Sequence, residues 1–368
     1  MAVLPKQVQQ HKSDYRVHKF KTAQHFLLSI YAQLTQAASG NSLIEALNDW
    51  TNYDQPNNLR RLIGFEGQDC GELLSLNQSS FSRANNTRSY LVWRDCFVEL
   101  LSYARSRCAK KLAGLGKVVA VDGTLFDAVA KMSWAVYQTA KPKAKGHFFF
   151  DLAGLPDKLI LSEGKASEVA ILAANFVADV TYLIDRGYND YELFRKLSCA
   201  KAYFVTRLKD GAIINLQQPL PRTLADDYFG IVADARVQLG QGTNTVQVRL
   251  VSWQNSDGKL WHFLTNRYDL SAKTIVELYQ ARWQIELFFG WIKRHLQLRH
   301  WYAYSENGVL IQLYAALIAF LLLKCWVAFS LVPDDAALRI DFVRWLNRHL
   351  FDPIDPNLVP LYLSQLIT

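Results

Sequence analysis

Lys117-Val-Val-Ala-Val-Asp-Gly-Thr124 is the stretch from which the fold class can be read. Its run of β-branched and small apolar residues predicts a buried strand, and Asp-Gly-Thr predicts the polar turn that ends it. Downstream, His147-Phe-Phe-Phe-Asp-Leu152 and Lys158-Leu-Ile-Leu161 predict two further strands, joined through Ala153-Gly-Leu-Pro-Asp157, which has turn composition. A helix over 167–176, with Ser167 as its cap, precedes the strand Thr181-Tyr-Leu-Ile-Asp185. A helix over 190–197 then precedes the strand Ala202-Tyr-Phe-Val-Thr-Arg-Leu208. Short links indicate an antiparallel start, and helical crossovers indicate parallel additions. The expected class is α/β, a mixed sheet with helices packed on it.

After Lys209 the pattern becomes all β. Val232-Ala-Asp-Ala-Arg-Val-Gln-Leu239, Val246-Gln-Val-Arg-Leu-Val251 and Leu260-Trp-His-Phe-Leu-Thr265 predict a β-rich insertion over about 210–265 with one wet face. A long helix from Lys273 to about Gln297 follows, then an apolar helix from Val309. Upstream, residues 1–110 read as helices separated by polar stretches at 52–58 and 64–71. The expected organisation is a helical N-terminal region over 1–110, the sheet domain over 111–330 and a helical tail over 331–368.

Half of the 368 residues are hydrophobic (50%), so a sizeable core can be buried. Lys plus Arg exceed Asp plus Glu by 41 − 33 = +8, which points to a polyanionic partner, nucleic acid being the commonest. A merely soluble basic protein has the same balance. Five scattered cysteines without a CxxC pair argue against a disulfide framework or a zinc site and fit a reducing cytosol. The N-terminus lacks a signal-peptide pattern, so a cytoplasmic location is expected. The run from Val309 to Leu323 is interrupted by Gln312 and Tyr314 and ended by Lys324. It falls short of the ~20 residues of a membrane span, and a buried helix is expected instead.

Lys6, Lys12, Arg16, Lys19 and Lys21 stand against Asp14 alone in the first thirty residues. In Asn77-Gln-Ser-Ser-Phe-Ser-Arg-Ala-Asn-Asn-Thr-Arg88 the Ser and Asn residues suit helix caps, and Arg83 and Arg88 suit phosphate contacts. Solvated helix faces are the alternative for each of these charges.

Three acidic residues have telling settings. Asp122 ends the Val-rich strand, and Asp185 ends a second one in Leu-Ile-Asp-Arg-Gly-Tyr188. Carboxylates at the ends of buried strands are costly unless paired or metal-bound, and ligands gather at strand ends in such sheets. A turn or capping aspartate is the alternative for either one alone. Glu286 lies in Tyr279-Gln-Ala-Arg-Trp-Gln-Ile-Glu-Leu-Phe-Phe-Gly-Trp-Ile-Lys293. On one regular helix Arg282, Glu286 and Lys293 would fall at about −60°, −20° and −40° from Tyr279. That is one narrow charged stripe on a helix otherwise rich in Trp, Phe and Ile. Buried charges need partners, and a metal with a phosphate backbone would supply them; a salt-bridged surface stripe is the alternative.

The spacing Y-x2-R-x3-E-x6-K resembles the YREK signature of bacterial insertion-sequence transposases of the insertion-sequence-four type, matching at Tyr279, Arg282, Glu286 and Lys293. Asp122 in Val-Asp-Gly-Thr and Asp185 in Ile-Asp-Arg-Gly-Tyr resemble the two catalytic aspartates of that family, and the β-rich insertion is similar as well. The likeness runs from about Asn77 to Ala319. It departs at Ala166-Ser-Glu168, where the family often shows a His-Asp pair.

The resemblance implies an RNase H-like core with a catalytic triad of Asp122, Asp185 and Glu286. The triad would hold two Mg²⁺ ions, with Mn²⁺ able to substitute. Two such ions activate a water or a DNA 3′-hydroxyl and stabilise the leaving oxygen. Tyr279, Arg282 and Lys293 would hold the DNA backbone. Trp261 would stack on a base flipped from the duplex; an ordinary core aromatic is the alternative there. The implied activity is cut-and-paste transposition by a homodimer that binds terminal inverted repeats and target DNA, in a bacterial cytoplasm, on the nucleoid when bound to DNA and with no membrane partner. A nuclease without strand transfer, or a catalytically idle DNA-binding derivative, would share these features.

Overall fold

The structure is a computed structural model and describes residues 3–35, 37–49, 58–65, 68–69, 72–108, 114–127, 132, 134–135, 143–295 and 301–329. The expected tail over 331–368 lies outside them. The N-terminal elements are α1 (Val3–Gln10), α2 (Thr22–Leu34), α3 (Gly40–Asn48), α4 (Leu59–Leu62), the short pair β1 (Gln68–Asp69) and β2 (Glu72–Leu73), α5 (Gln78–Thr87) and α6 (Leu91–Cys108). Then come β3 (Lys117–Asp127), β4 (Lys143–Asp151), β5 (Leu155–Glu163), α7 (Glu168–Ala173), β6 (Val180–Ile184), α8 (Tyr191–Cys199) and β7 (Tyr203–Arg207). The chain continues through β8 (Ile214–Pro219), α9 (Leu224–Phe229), β9 (Ile231–Gln241), β10 (Asn244–Gln254), β11 (Leu260–Thr265), α10 (Ala272–Ala281), α11 (Gln284–His295) and α12 (Glu306–Phe329).

These form two compact units: 1–109 with 126–134 and 290–368, and 110–125 with 135–289. This grouping does not follow the linear order expected from the sequence, because residues beyond 290 join the N-terminal helices.

The reason lies in α12. It is apolar on every side, and such a helix must be covered all round. Within its unit it packs against α2, α5 and α6. Its polar interruptions are absorbed: buried Gln312 accepts a hydrogen bond from the Tyr302 amide at 3.1 Å. The helix therefore does not stop at Lys324, contrary to expectation. By length and composition alone Glu306–Cys325 suffices to cross a membrane, yet 89% of its most apolar window is buried inside the protein.

The second unit is built on a nine-stranded mixed sheet, ordered β5-β4-β3-β6-β7-β11-β10-β9-β8. β3, β6 and β7 run parallel, whereas β4 and β5 pair antiparallel. The segment β5-β4-β3-β6-β7 has the order of an RNase H-like core. Ser167 caps α7 and Asp190 caps α8, as the sequence predicts. Both helices cover one face, where Val119, Val121, Tyr182, Ile184, Leu193 and Leu197 are buried together and Phe194 stacks on Phe204 at 4.3 Å.

The β-rich insertion is continuous with this sheet. β11 pairs antiparallel with β7, Phe263 opposite Arg207 and Thr265 opposite Val205, and β10, β9 and β8 extend outward. Its walls carry a buried pair in which the Arg249 guanidinium donates to both Asp234 carboxylate oxygens at 2.8 and 2.6 Å.

The expected single helix over 273–297 is two, α10 and α11, joined at Arg282 and Trp283. Around the joint Arg282, Trp283, Ile285 and Glu286 each donate their amide to the residue three before. This tighter winding advances more per residue than an α-helix, so the stripe of four residues on one regular helix is not formed. Trp283 and Leu287 are exposed, where a mostly buried helix was expected.

Candidate active site

The two aspartates are brought together by strand register. β3 and β6 pair in parallel with Val121 opposite Ile184, and Asp122 and Asp185 are the next residues on each. Adjacent strands lie about 4.8 Å apart, so the two aspartates come together where the β3–β6 pairing stops; β3 itself runs on to Asp127, so Asp-Gly-Thr does not make the strand-ending turn expected from the sequence. The Asp122 side chain is 23% exposed. Burial raises its pKa to about 6, with Glu168 and Glu286 adding repulsion, against the Gly123 amide and Arg282, which favour the charged form. The Gly123 amide donates to Asp122 Oδ1 at 2.8 Å.

Glu286 joins this group through Arg282. The Arg282 guanidinium donates to Glu286 Oε1 at 2.9 Å, and its Nη1 stands 3.8 Å from Asp122 Oδ2. Arg282 is nearly buried, with its side chain 12% exposed, and its Nε has no hydrogen-bond partner. Tyr279 lies beneath it, the guanidinium carbon 5.7 Å from the ring centroid. The tight joint between α10 and α11 thus achieves by different geometry what the straight helix was expected to do: Arg282 and Glu286 share one face toward Asp122.

Sequence reading missed three residues here. Glu168, at the start of α7, forms an ion pair with Lys145 at 2.5 Å. A Cβ at position 123 would lie 2.6 Å from Glu168 Oε1 and 2.7 Å from Lys145 Cε. The glycine after Asp122 therefore admits this pair against the strand, and Asp-Gly was its only sequence signal. The third is Tyr188. Its hydroxyl is buried without a hydrogen-bond partner. Burial, then the charges of Glu168, Asp122 and Asp185, hold that phenol well above its ordinary pKa. One buried hydroxyl therefore senses three carboxylates.

The remaining candidates divide. Trp261 is half-buried on β11, with Arg207 at 4.5 Å and Lys259 at 4.8 Å from its ring centroid, and its indole N–H is buried without a partner. Lys293 belongs to the helical unit, its ammonium 5.5 Å from the Phe126 ring centroid. In the same unit Arg83 is exposed, whereas Arg88 is 5% exposed. The open phosphate contact expected of Arg88 is not available: its guanidinium donates to the Phe20 carbonyl and lies over the Phe20 ring.

Among the described residues, no three His, Cys, Asp or Glu side chains close on a single point as a metal cage would. A Mg²⁺-class ion needs no such cage, since one or two carboxylates with water and substrate phosphate suffice. The hard oxygens of Asp122, Asp185 and Glu286 fit such an ion. The Arg282 guanidinium between Asp122 and Glu286 shows that a cation is stabilised there.

Comparison with known proteins shows the family. Residues 113–322, more than half of the chain, match the family model described as the transposase DDE domain. Residues 2–52 match one described only as a domain of unknown function. A protein of Sinorhizobium fredii named as a transposase is 30% identical, over 68% of this chain and 72% of its own. One from Geobacillus stearothermophilus, named as a transposase for an insertion sequence element, is 25% identical over 83% and 79%. A solved structure, the piggyBac transposase synaptic complex with hairpin DNA, aligns with 100% of this chain and 81% of its own at a TM-score of 0.45 and 9% identity.

Proposed function

This chain belongs to the transposase DDE domain family, and from that premise we propose that it cleaves the ends of an insertion sequence of the insertion-sequence-four type and joins them to target DNA. It acts as a homodimer on terminal inverted repeats, by a cut-and-paste route. The observation that carries this reading is Arg282, which reaches both Glu286 and Asp122, while Asp185 follows the strand paired with that of Asp122.

Asp122, Asp185 and Glu286 would hold two divalent ions. When bound, such ions supply Lewis-acid stabilisation and a deprotonated oxygen nucleophile for in-line phosphoryl transfer. The chain's own groups do the positioning. Arg282 orients the Glu286 carboxylate and presents a planar donor fork suited to a phosphate. Lys145 neutralises Glu168, limiting repulsion around Asp122. Tyr279 and the sheet below it form the rigid wall against which a DNA backbone is placed.

The test separates binding from chemistry. Asp122→Ala, Asp185→Ala and Glu286→Ala should each abolish cleavage of end-containing duplex while retaining most DNA affinity, because backbone contacts dominate binding. A chelator should stop the wild type, and Mg²⁺ or Mn²⁺ should restore it. Cleavage by Glu286→Ala near the wild-type rate would overturn the triad. Cut ends never joined to target would reassign the protein as a nuclease.

A further inference from the structure

Two side chains outside the triad crowd the site from α7 and β4. Glu168 lies in the first turn of α7, and its Oε1 is 2.5 Å from the Lys145 ammonium on β4. A Cβ at position 123 would lie 2.6 Å from that same oxygen. Gly123 in turn donates its amide to Asp122 Oδ1 at 2.8 Å. One glycine thus has the Glu168 carboxylate against its Cα and the Asp122 carboxylate on its N–H. All four residues belong to the unit built on the sheet.

A structural ion pair would leave its surroundings satisfied, and two observations show that this one does not. Burial is the main cause of the raised Asp122 pKa, and of the two carboxylates that add to it Glu168 acts more strongly than Glu286, a member of the triad. The second observation is Tyr188, which is 1% exposed and whose hydroxyl has no hydrogen-bond partner among the described residues. After burial, the Glu168 charge acts on that phenol most, ahead of Asp122 and Asp185. A buried hydroxyl left unpaired is costly. This one stands among carboxylates and has no acceptor in the free protein.

We propose that Glu168 is a further oxygen ligand of a divalent ion at Asp122, and that Lys145 occupies its carboxylate until the ion arrives. The inference rests on the transposase reading, which supplies the ion. A hard cation accepts another carboxylate in place of one of its waters. Lys145 then competes with the ion for one oxygen, as Arg282 does on the Glu286 side of Asp122. Once Glu168 turns from Lys145 to the ion, the Tyr188 hydroxyl serves as an outer donor that fixes the ligand's orientation.

The test uses the full chain without DNA and Mn²⁺ as the probe, followed by electron paramagnetic resonance. Glu168→Gln should weaken Mn²⁺ binding by at least about tenfold, a scale that even outer-shell partners carry. Lys145→Gln breaks the same pair from its other side but leaves the carboxylate free, and should tighten binding several-fold. Charge alone would give the same two signs, so ligation is read separately. The chain is labelled with glutamate carrying ¹³C in the side-chain carboxyl, and electron–nuclear double resonance is recorded at saturating Mn²⁺. Glu286→Gln should still show a ¹³C coupling to the metal, and Glu286→Gln with Glu168→Gln should show none. Melting temperatures without metal confirm that each variant is folded. Glu168→Gln binding Mn²⁺ as the wild type does, or Glu286→Gln without a ¹³C coupling, overturns the proposal. If Asp122→Ala still abolishes Mn²⁺ binding in that case, the transposase reading stands. Lys145→Gln with unchanged affinity overturns the competing role of the lysine. A wild type that binds no Mn²⁺ overturns this proposal and the two-ion mechanism together.

Discussion

Asp122 and Asp185 each stand one residue beyond Val121 and Ile184, the last registered pair between the parallel strands β3 and β6. This juxtaposition is unfavourable in the protein by itself. Asp122 is largely buried, with Glu168 and Glu286 adding to the negative charge around it. Arg282 and Lys145 offset part of that charge. On the proposed function, an added cation and a phosphate would complete the site, and the free protein would carry the cost.

That cost has a measurable sign. The folded pKa of Asp122, about 6, lies above the ordinary carboxylate value. Its contribution to stability is therefore full below about pH 4 and is lost as pH rises through about 6. Asp122→Asn should stabilise the chelator-treated protein near pH 7, by up to about 3 kcal/mol, and have little effect near pH 4. Urea unfolding at the two pH values measures this; a variant less stable than the wild type near pH 7 would refute it.

Arg282 is the cation already present. Removing it leaves Glu286 without its donor and Asp122 without its nearest positive charge. Arg282→Ala should bind Mn²⁺ several-fold more tightly, because a guanidinium about 4 Å from a carboxylate competes for the same field. The same variant should lose DNA cleavage by roughly 10²–10³, the scale for a lost transition-state donor. Arg282→Lys should restore little, having no planar fork. Mn²⁺ titration by electron paramagnetic resonance reads the first effect. Weaker Mn²⁺ binding by Arg282→Ala would show that the arginine builds the site and does not stand in for an ion.

His147 gives an acid limb that is independent of Asp122, Asp185 and Glu286. It is buried on β4, its Nε2 is 2.8 Å from Ser162 Oγ, and its Nδ1 has no partner. Burial, then the Lys145 charge, lowers its pKa to about 4. With the folded value below the unfolded one, stability is full above about pH 6.5 and declines as pH falls toward 4. His147→Gln should flatten the melting-temperature profile over that window. An unchanged slope would mean that other groups govern acid unfolding.

The core was legible because its strands are short apolar runs punctuated by turn residues; Asp185 does follow the end of its strand, whereas β3 continues past Asp122 to Asp127. What escaped was set by tertiary geometry. The break between α10 and α11 has no Pro or Gly at Arg282-Trp283 to announce it, so regular helical rotation was the natural expectation. Glu168 sits in an ordinary helix-start pattern, and only its proximity to Gly123 in space gives it a place near Asp122. The β-rich insertion alternates as a half-wet sheet should, and nothing in that alternation shows that β11 pairs with β7. Arg88 reads as a surface charge beside Arg83, yet the helix end carries it inward over Phe20.

Trp261 remains the residue for which sequence and structure ask for the same experiment. Its ring is flanked by Arg207 and Lys259 and is only half-buried on β11. Burial raises the pKa of Tyr279 and the Arg207 charge opposes that shift, so the indole stands close to an arginine that also acts on Tyr279. An aromatic face between two cations is suited to an extruded base, with the cations on the adjoining phosphates. Base–aromatic stacking is worth about 1–3 kcal/mol, or roughly tenfold or more in a step that depends on it. Trp261→Ala should therefore leave the first nick near its wild-type rate and slow later strand cleavage at least about tenfold. Trp261→Phe keeps an aromatic face and should recover most of that loss. Rates of successive nicks on an end-labelled duplex, with melting temperatures of both variants, decide the matter. If every step falls together with the melting temperature, Trp261 is a packing residue of β11 and the base-stacking role is withdrawn.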